Sequence, residues 1–74
     1  MKTKLCCVPE KYHCKILKIT GKNRNLFSTL GFSKDLTIYV ALVTNNVMKI
    51  KCRDYYIALR KNEAEQILVE LLQK

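Results

Sequence analysis

The clearest period in the chain lies between Val47 and Arg53, where Met48, Ile50 and Cys52 alternate with Val47, Lys49, Lys51 and Arg53. A two-residue repeat belongs to a strand with one dry and one wet face, so three cations are expected to line up on the outside. The run before it, Leu36 to Val43, is almost entirely β-branched, aromatic or aliphatic, which predicts a strand buried on both faces or bent. Thr44-Asn45-Asn46 reads as the hairpin turn between the two, because asparagine tolerates positive φ better than most residues. Lys15 to Ile19, followed by Thr20-Gly21, is expected as an earlier strand that runs into a basic loop. Asp54 starts another tight turn, leading to a short strand Tyr55 to Leu59 with Ile57 and Leu59 toward the core. Ile67 to Leu72 is expected as the final strand.

Between Asn23 and Gly31 the period changes. Leu26, Phe27 and Leu30 fall at i, i+1 and i+4 and share one face of a short helix, with Asn23 or Asn25 as its cap. Gly31 supplies the left-handed residue that closes a helix, and Phe32 folds back onto it. Ser33-Lys34-Asp35 is then a turn. A second helical start is expected at Asn62, as cap, with Glu65 reaching back to a free backbone donor. About five strands, one or two short helices and tight turns point to a small β-barrel built as one domain over residues 1–74. The first dozen residues, with Pro9 and the adjacent Cys6 and Cys7, carry no period.

With 74 residues, the chain buries only roughly 60% of its unfolded surface, so few apolar side chains are spare. Its net charge of +8 is uneven, since eleven lysines and arginines face Glu10 and Asp35 over residues 1–53 while the remainder is nearly balanced. Such a field suits an acidic protein surface, nucleic acid or an anionic membrane face. No apolar run approaches the roughly 20 residues that span a bilayer, and the start lacks the apolar stretch of a signal peptide. The expectation is a cytoplasmic protein with four free thiols.

Catalysis is not expected, because the six carboxylates show no acid–base pairing and no catalytic nucleophile–base arrangement or open metal site is recognisable. Cys6, Cys7, His13 and Cys14 are the candidate metal ligands, as thiolate and imidazole suit zinc or iron. Adjacent cysteines make poor neighbours in one tetrahedron and the Cys-x-x-Cys bite is missing, so structural thiols are the expected reading. Cys52, alternating with Met48 and Ile50, belongs to the core. Nucleic-acid binding is the rival function class, carried by Tyr39, Tyr55 and Tyr56 with Lys49, Lys51 and Arg53, although no RNA-module signature accompanies them.

Taken in order, Ile16-Leu17-Lys18-Ile19, Leu26-Phe27-Ser28-Thr29-Leu30-Gly31-Phe32, Leu36-Thr37-Ile38-Tyr39-Val40, Tyr56-Ile57-Ala58-Leu59-Arg60 and Ala64-Glu65-Gln66-Ile67-Leu68-Val69 resemble the FeoA family. The resemblance is strongest over residues 14–70. It implies an SH3-like barrel, related to the C-terminal domain of DtxR-type repressors, and a cytosolic accessory that binds and modulates the ferrous iron transporter FeoB. Iron is then the cargo of the pathway, and no cofactor is expected on this chain. The partner contacts expected on this reading are Lys22, Arg24, Phe27 and Phe32, around the early helix. Two departures stand out. Lys34-Asp35 replaces a Pro-Gly-like turn, so a different turn type is expected there, and the usual apolar N-terminal strand with a glycine near Lys11 is not evident.

Overall fold

The computed structural model describes residues 1–22 and 24–72. Six strands, β1 (Lys2–Lys4), β2 (His13–Ile19), β3 (Thr37–Val43), β4 (Val47–Cys52), β5 (Tyr55–Arg60) and β6 (Ile67–Leu71), join two short helices, α1 (Arg24–Thr29) and α2 (Lys61–Ala64). All pairings are antiparallel in the order β1-β6-β2-β3-β4-β5, so the sheet coils around the core with β1 and β5 at its ends.

The alternation along β4 is realised in full: Met48, Ile50 and Cys52 are buried, while Val47, Lys49 and Lys51 are exposed. The apolar run of β3 is resolved by a bend. The register with β4 shifts between Val40 and Leu42, leaving Ala41 as the extra residue of a bulge. Ile38 and Val40 therefore face inward before the bulge, and Leu42 turns out to solvent after it. A second shift, between Ile16 and Lys18, bends β2 in the same way against β6. These bends let one continuous ladder wrap a core of Leu5, Val8, Cys14, Ile16, Phe27, Phe32, Ile38, Val40, Met48, Ile50, Cys52, Leu59, Ala64, Ile67 and Val69.

The end of α1 forms as its sequence requires. Phe32 N–H donates to Phe27 C=O at 2.9 Å and Gly31 N–H to Ser28 C=O at 3.1 Å, a Schellman closure with Gly31 at φ +91°. The Phe27 and Phe32 rings lie 6.0 Å apart and nearly parallel across it. Asn25 lies inside the helix, its carbonyl taking the Thr29 hydroxyl at 2.9 Å, so it is not the cap. Asn23 lies outside the described residues.

Four further expectations are corrected. The sheet has six strands, because Lys2–Lys4 pairs antiparallel with Leu68–Glu70. Helix α2 starts two residues early: β5 runs straight into it, Lys61 N–H bonds Asn46 C=O at 2.9 Å, and Glu63 Oε1 accepts from Arg60 N–H at 2.9 Å. Asn62 is thus inside α2, and the returning carboxylate is Glu63 in place of Glu65. The β3–β4 turn is held by Thr44, whose hydroxyl accepts from Val47 N–H and donates to Val47 C=O, both at 3.1 Å. Neither Asn45 nor Asn46 needs positive φ; Lys11, Asp35 and Arg53 are the described non-glycine residues that do. The turn before β3 therefore keeps the left-handed residue of a glycine-type turn, with Asp35 at φ 72° standing in it.

Candidate functional site

The outer face of β2 to β5 carries the most distinctive chemistry. Register places His13 opposite Tyr39, Tyr39 opposite Lys51, and Lys51 opposite Tyr56, so four strands contribute one side chain each to a single row. Directly opposed residues on one face lie about 4.5–5.5 Å apart at Cβ, close enough for side chains to interact. The His13 and Tyr39 rings meet at 4.7 Å between centroids, tilted by 46°. On the far side, Lys49 Nζ sits 4.7 Å above the Tyr56 ring and Lys51 Nζ lies 5.9 Å from the same centroid. Such contacts hold a cation over the negative face of the ring and limit its wandering.

His13, Thr37, Ile38, Tyr39, Lys51, Arg53 and Tyr56 line an open cleft of about 530 Å³. Among the described residues no carboxylate lines it and no salt bridge neutralises Lys49, Lys51 or Arg53. The Arg53 backbone is held at φ 60° as β4 turns into β5. Tyr56 is 54% exposed and Tyr39 half-buried, so both rings are within reach of a ligand.

Tyr55, grouped with these aromatics from sequence, does different work. Its hydroxyl donates to Leu30 C=O at 2.6 Å and ties the end of α1 to the sheet, close enough to Gly31 that a Cβ there would meet the phenol oxygen at 2.9 Å.

Around α1 the expectation of exposed aromatics is corrected. Phe27 and Phe32 are buried, because the Schellman closure turns both rings inward onto each other and the core. Lys22 and Arg24 are exposed, and the apolar side chain that this helix shows to solvent is Leu26, at 46%. Leu26 was already in the helical pattern, and only the rotation of the helix on the barrel separates it from Phe27.

The cysteine and histidine candidates are not brought together. Cys14 is inside the core, where burial pushes the pKa of its thiol up to about 12, and His13, the preceding residue on β2, faces the opposite side. Cys6 and Cys7 are neighbours in a 3-10 turn, Leu5–Cys7, with Sγ atoms 3.9 Å apart, and burial, then the Cys7 contact, raises the Cys6 pKa. All four cysteines are free thiols, and no group of three His, Cys, Asp or Glu side chains suited to a metal occurs among the described residues. Among them, too, no helix is long and apolar enough to cross a membrane.

Two of the acids, Glu10 and Glu63, serve the backbone. Glu10 Oε2 accepts from Val43 N–H at 2.9 Å just past the β3 bulge, a role that its position in the patternless N-terminal segment does not announce.

Solved structures share this architecture along its whole length. A FeoA-like protein from Clostridium acetobutylicum is 28% identical, with a TM-score of 0.89 over 99% of this chain and 90% of its own. An iron uptake regulatory protein, FeoA, superposes with a TM-score of 0.90 over 97% of this chain and 100% of its own at 20% identity. A manganese-dependent transcriptional repressor contains the same fold in 42% of its length, with a TM-score of 0.86 and 16% identity. No curated protein matches. The sequence profile described as the FeoA domain matches residues 3–71, nearly the full chain, and with the shared fold this makes the chain a member of the FeoA family.

Proposed function

We propose that this chain is a non-catalytic accessory of ferrous iron uptake, which binds a FeoB-type membrane transporter at its cytoplasmic side and modulates it. The observation that carries the reading is the match to the FeoA domain over residues 3–71. The architecture supports positioning in place of chemistry. Glu10 and Glu63 are occupied with backbone N–H groups of Val43 and Arg60. Glu70 lies 3.9 Å from the N-terminal ammonium at the sheet end. Iron enters as cargo of the transporter.

A second reading, a small basic domain that binds single-stranded nucleic acid, is favoured by one observation, the row of rings and cations across β2 to β5. One experiment separates the two. Immobilised protein is challenged, at low and at physiological salt, with the soluble GTP-binding domain and with the detergent-solubilised full transporter, with random-sequence RNA as competitor. Saturable capture of the transporter that survives salt and RNA is the expected result. RNA retention without transporter capture would replace the accessory reading with the nucleic-acid one.

A further inference from the structure

The cleft on the outer face of β3, β4 and β5 has a sharper chemistry than a general basic surface. Lys49 and Lys51 stand two residues apart on β4, so their side chains leave the same face about 6.8 Å apart along the strand. Tyr39 flanks this line from β3 and Tyr56 from β5. Tyr39, Lys51, Arg53 and Tyr56 line the cleft, and Lys49, outside the lining, adjoins it through the Tyr56 ring over which its ammonium sits. Both neighbours of β4 are already paired to it, so its backbone N–H and C=O groups are committed to the sheet. A ligand here must be read by side chains and cannot add as a further strand.

We propose that this cleft docks an extended acidic segment of the protein partner, with carboxylates at alternate residues lying over Lys49 and Lys51 and its chain packed between Tyr39 and Tyr56. This rests on the reading of the chain as a protein-binding accessory. The repeat of an extended peptide matches the lysine spacing, since every second side chain of such a peptide recurs after about 6.8 Å on one side. Charge complementarity is one-sided, because no carboxylate among the described residues lines the cleft to compete. The ammonium groups are restrained over Tyr56 before any ligand arrives, which lowers the ordering cost of pairing them with carboxylates.

Nucleic acid fits less well. Bases need free ring faces on which to stack, whereas one face of Tyr56 carries Lys49 and the Tyr39 ring leans on His13.

Fluorescence anisotropy with a labelled ten-residue peptide alternating glutamate and serine tests the proposal, beside the same peptide with glutamine for glutamate and a ten-nucleotide oligouridine. The expected result is saturable binding of the acidic peptide and at least tenfold weaker binding of the glutamine peptide. Lys51→Glu should lose at least tenfold and Tyr56→Ala severalfold, while Lys34→Glu, an equal charge change in the turn before β3, stays within twofold. Thermal melts confirm that each variant is folded. Equal binding of both peptides, equal losses in Lys51→Glu and Lys34→Glu, or oligouridine binding in preference to the acidic peptide would each overturn the cleft. Repeating the transporter capture with Lys51→Glu keeps the two claims apart. Capture by both wild type and variant overturns the acidic-segment site and leaves the accessory function standing. Peptide binding that Lys51→Glu abolishes, with no transporter capture by wild type, upholds the site and removes the transporter.

Discussion

The inner and outer faces of β3 to β5 are made by alternate residues of the same strands, yet they obey different constraints. Inward, Ile38, Val40, Met48, Ile50, Cys52 and Leu59 are buried against one another and against Phe27 and Phe32 from the α1 region. Outward, Tyr39, Lys49, Lys51 and Tyr56 touch each other across strands and then solvent. The inner set is fixed by volume, since protein interiors pack at crystal density and a lost methylene is felt. The outer set is fixed by almost nothing that folding demands. A cleft with no carboxylate among its described lining, with Lys51 and Arg53 in it and Lys49 beside it, none of them in a salt bridge among the described residues, is therefore a choice that stability does not explain.

The sharpest way to break this contrast is to truncate one residue of each kind. Phe27→Ala removes a ring with no exposed surface and should cost about 3–5 kcal/mol. That is comparable with the whole stability of a domain this small, at roughly 0.05–0.15 kcal/mol per residue, so the variant should be largely unfolded or melt far below wild type. Lys51→Ala should change stability by no more than about 0.5 kcal/mol and show its effect in binding alone. Thermal melts of the two, read beside the peptide titration, check both. Near-wild-type melting of Phe27→Ala would mean that the α1 aromatics are outside the core and would restore them as partner contacts.

How much of this was legible in the sequence follows the same division. The alternation of β4 and the glycine-closed end of α1 were readable because both are local: a period of two, and a Leu-Gly-Phe order over three consecutive residues. Strand β1 was not, since Lys2-Thr3-Lys4 has no apolar period and is held by pairing with β6, while Leu5 and Val8 are isolated apolar residues whose burial depends on that docking. The start of α2 was misplaced because its cap is Arg60, a residue with no capping preference that β5 delivers to that point. The cations of the cleft were visible along β4. The row His13, Tyr39, Lys51 and Tyr56 was not, because it exists only once three separate strand registers are set, one of them shifted by the Ala41 bulge.

Cys14 offers a smaller effect that reports on the inner face alone. Burial raises its pKa from an ordinary value of 9.0 to about 12, so the folded state holds the thiol proton through a range in which the unfolded chain has released it. Stability from this group is complete below about pH 9 and falls as pH rises toward 12, because there the unfolded state binds fewer protons than the native one. The loss approaches about 1.4 kcal/mol per pH unit within that window. Urea melts of wild type and Cys14→Ala at pH 8 and pH 10 separate the linkage from the cavity: both variants lose stability with other alkaline titrations, and wild type should lose more. Parallel curves would show that the thiol is not sealed from water and that the inner face is leakier than the packing of β2 against β3 and β6 implies.

The smallest expected effect tests positions where neither face decides and only the backbone does. Asp35 is exposed and sits at φ 72° in the turn before β3, where its N–H donates to Ile16 C=O at 2.7 Å. The left-handed region disfavours residues with a Cβ, aspartate less than most, and it costs glycine nothing. Asp35→Gly should therefore raise stability by about 0.5 kcal/mol, the relief of strain being partly offset by the greater freedom of glycine in the unfolded chain. Asp35→Ala, which removes the same carboxylate but keeps the Cβ, should lower it by about 1 kcal/mol. Opposite signs from two substitutions at one exposed site isolate the dihedral angle as the cause, because loss of the carboxylate is common to both. If both variants shifted the same way, the carboxylate would be the feature that matters and the turn would owe nothing to its left-handed residue. Since Asp35 stands on the loop that leads α1 into β3, neither change should alter peptide binding at Lys49 and Lys51, and a parallel titration makes that separation visible.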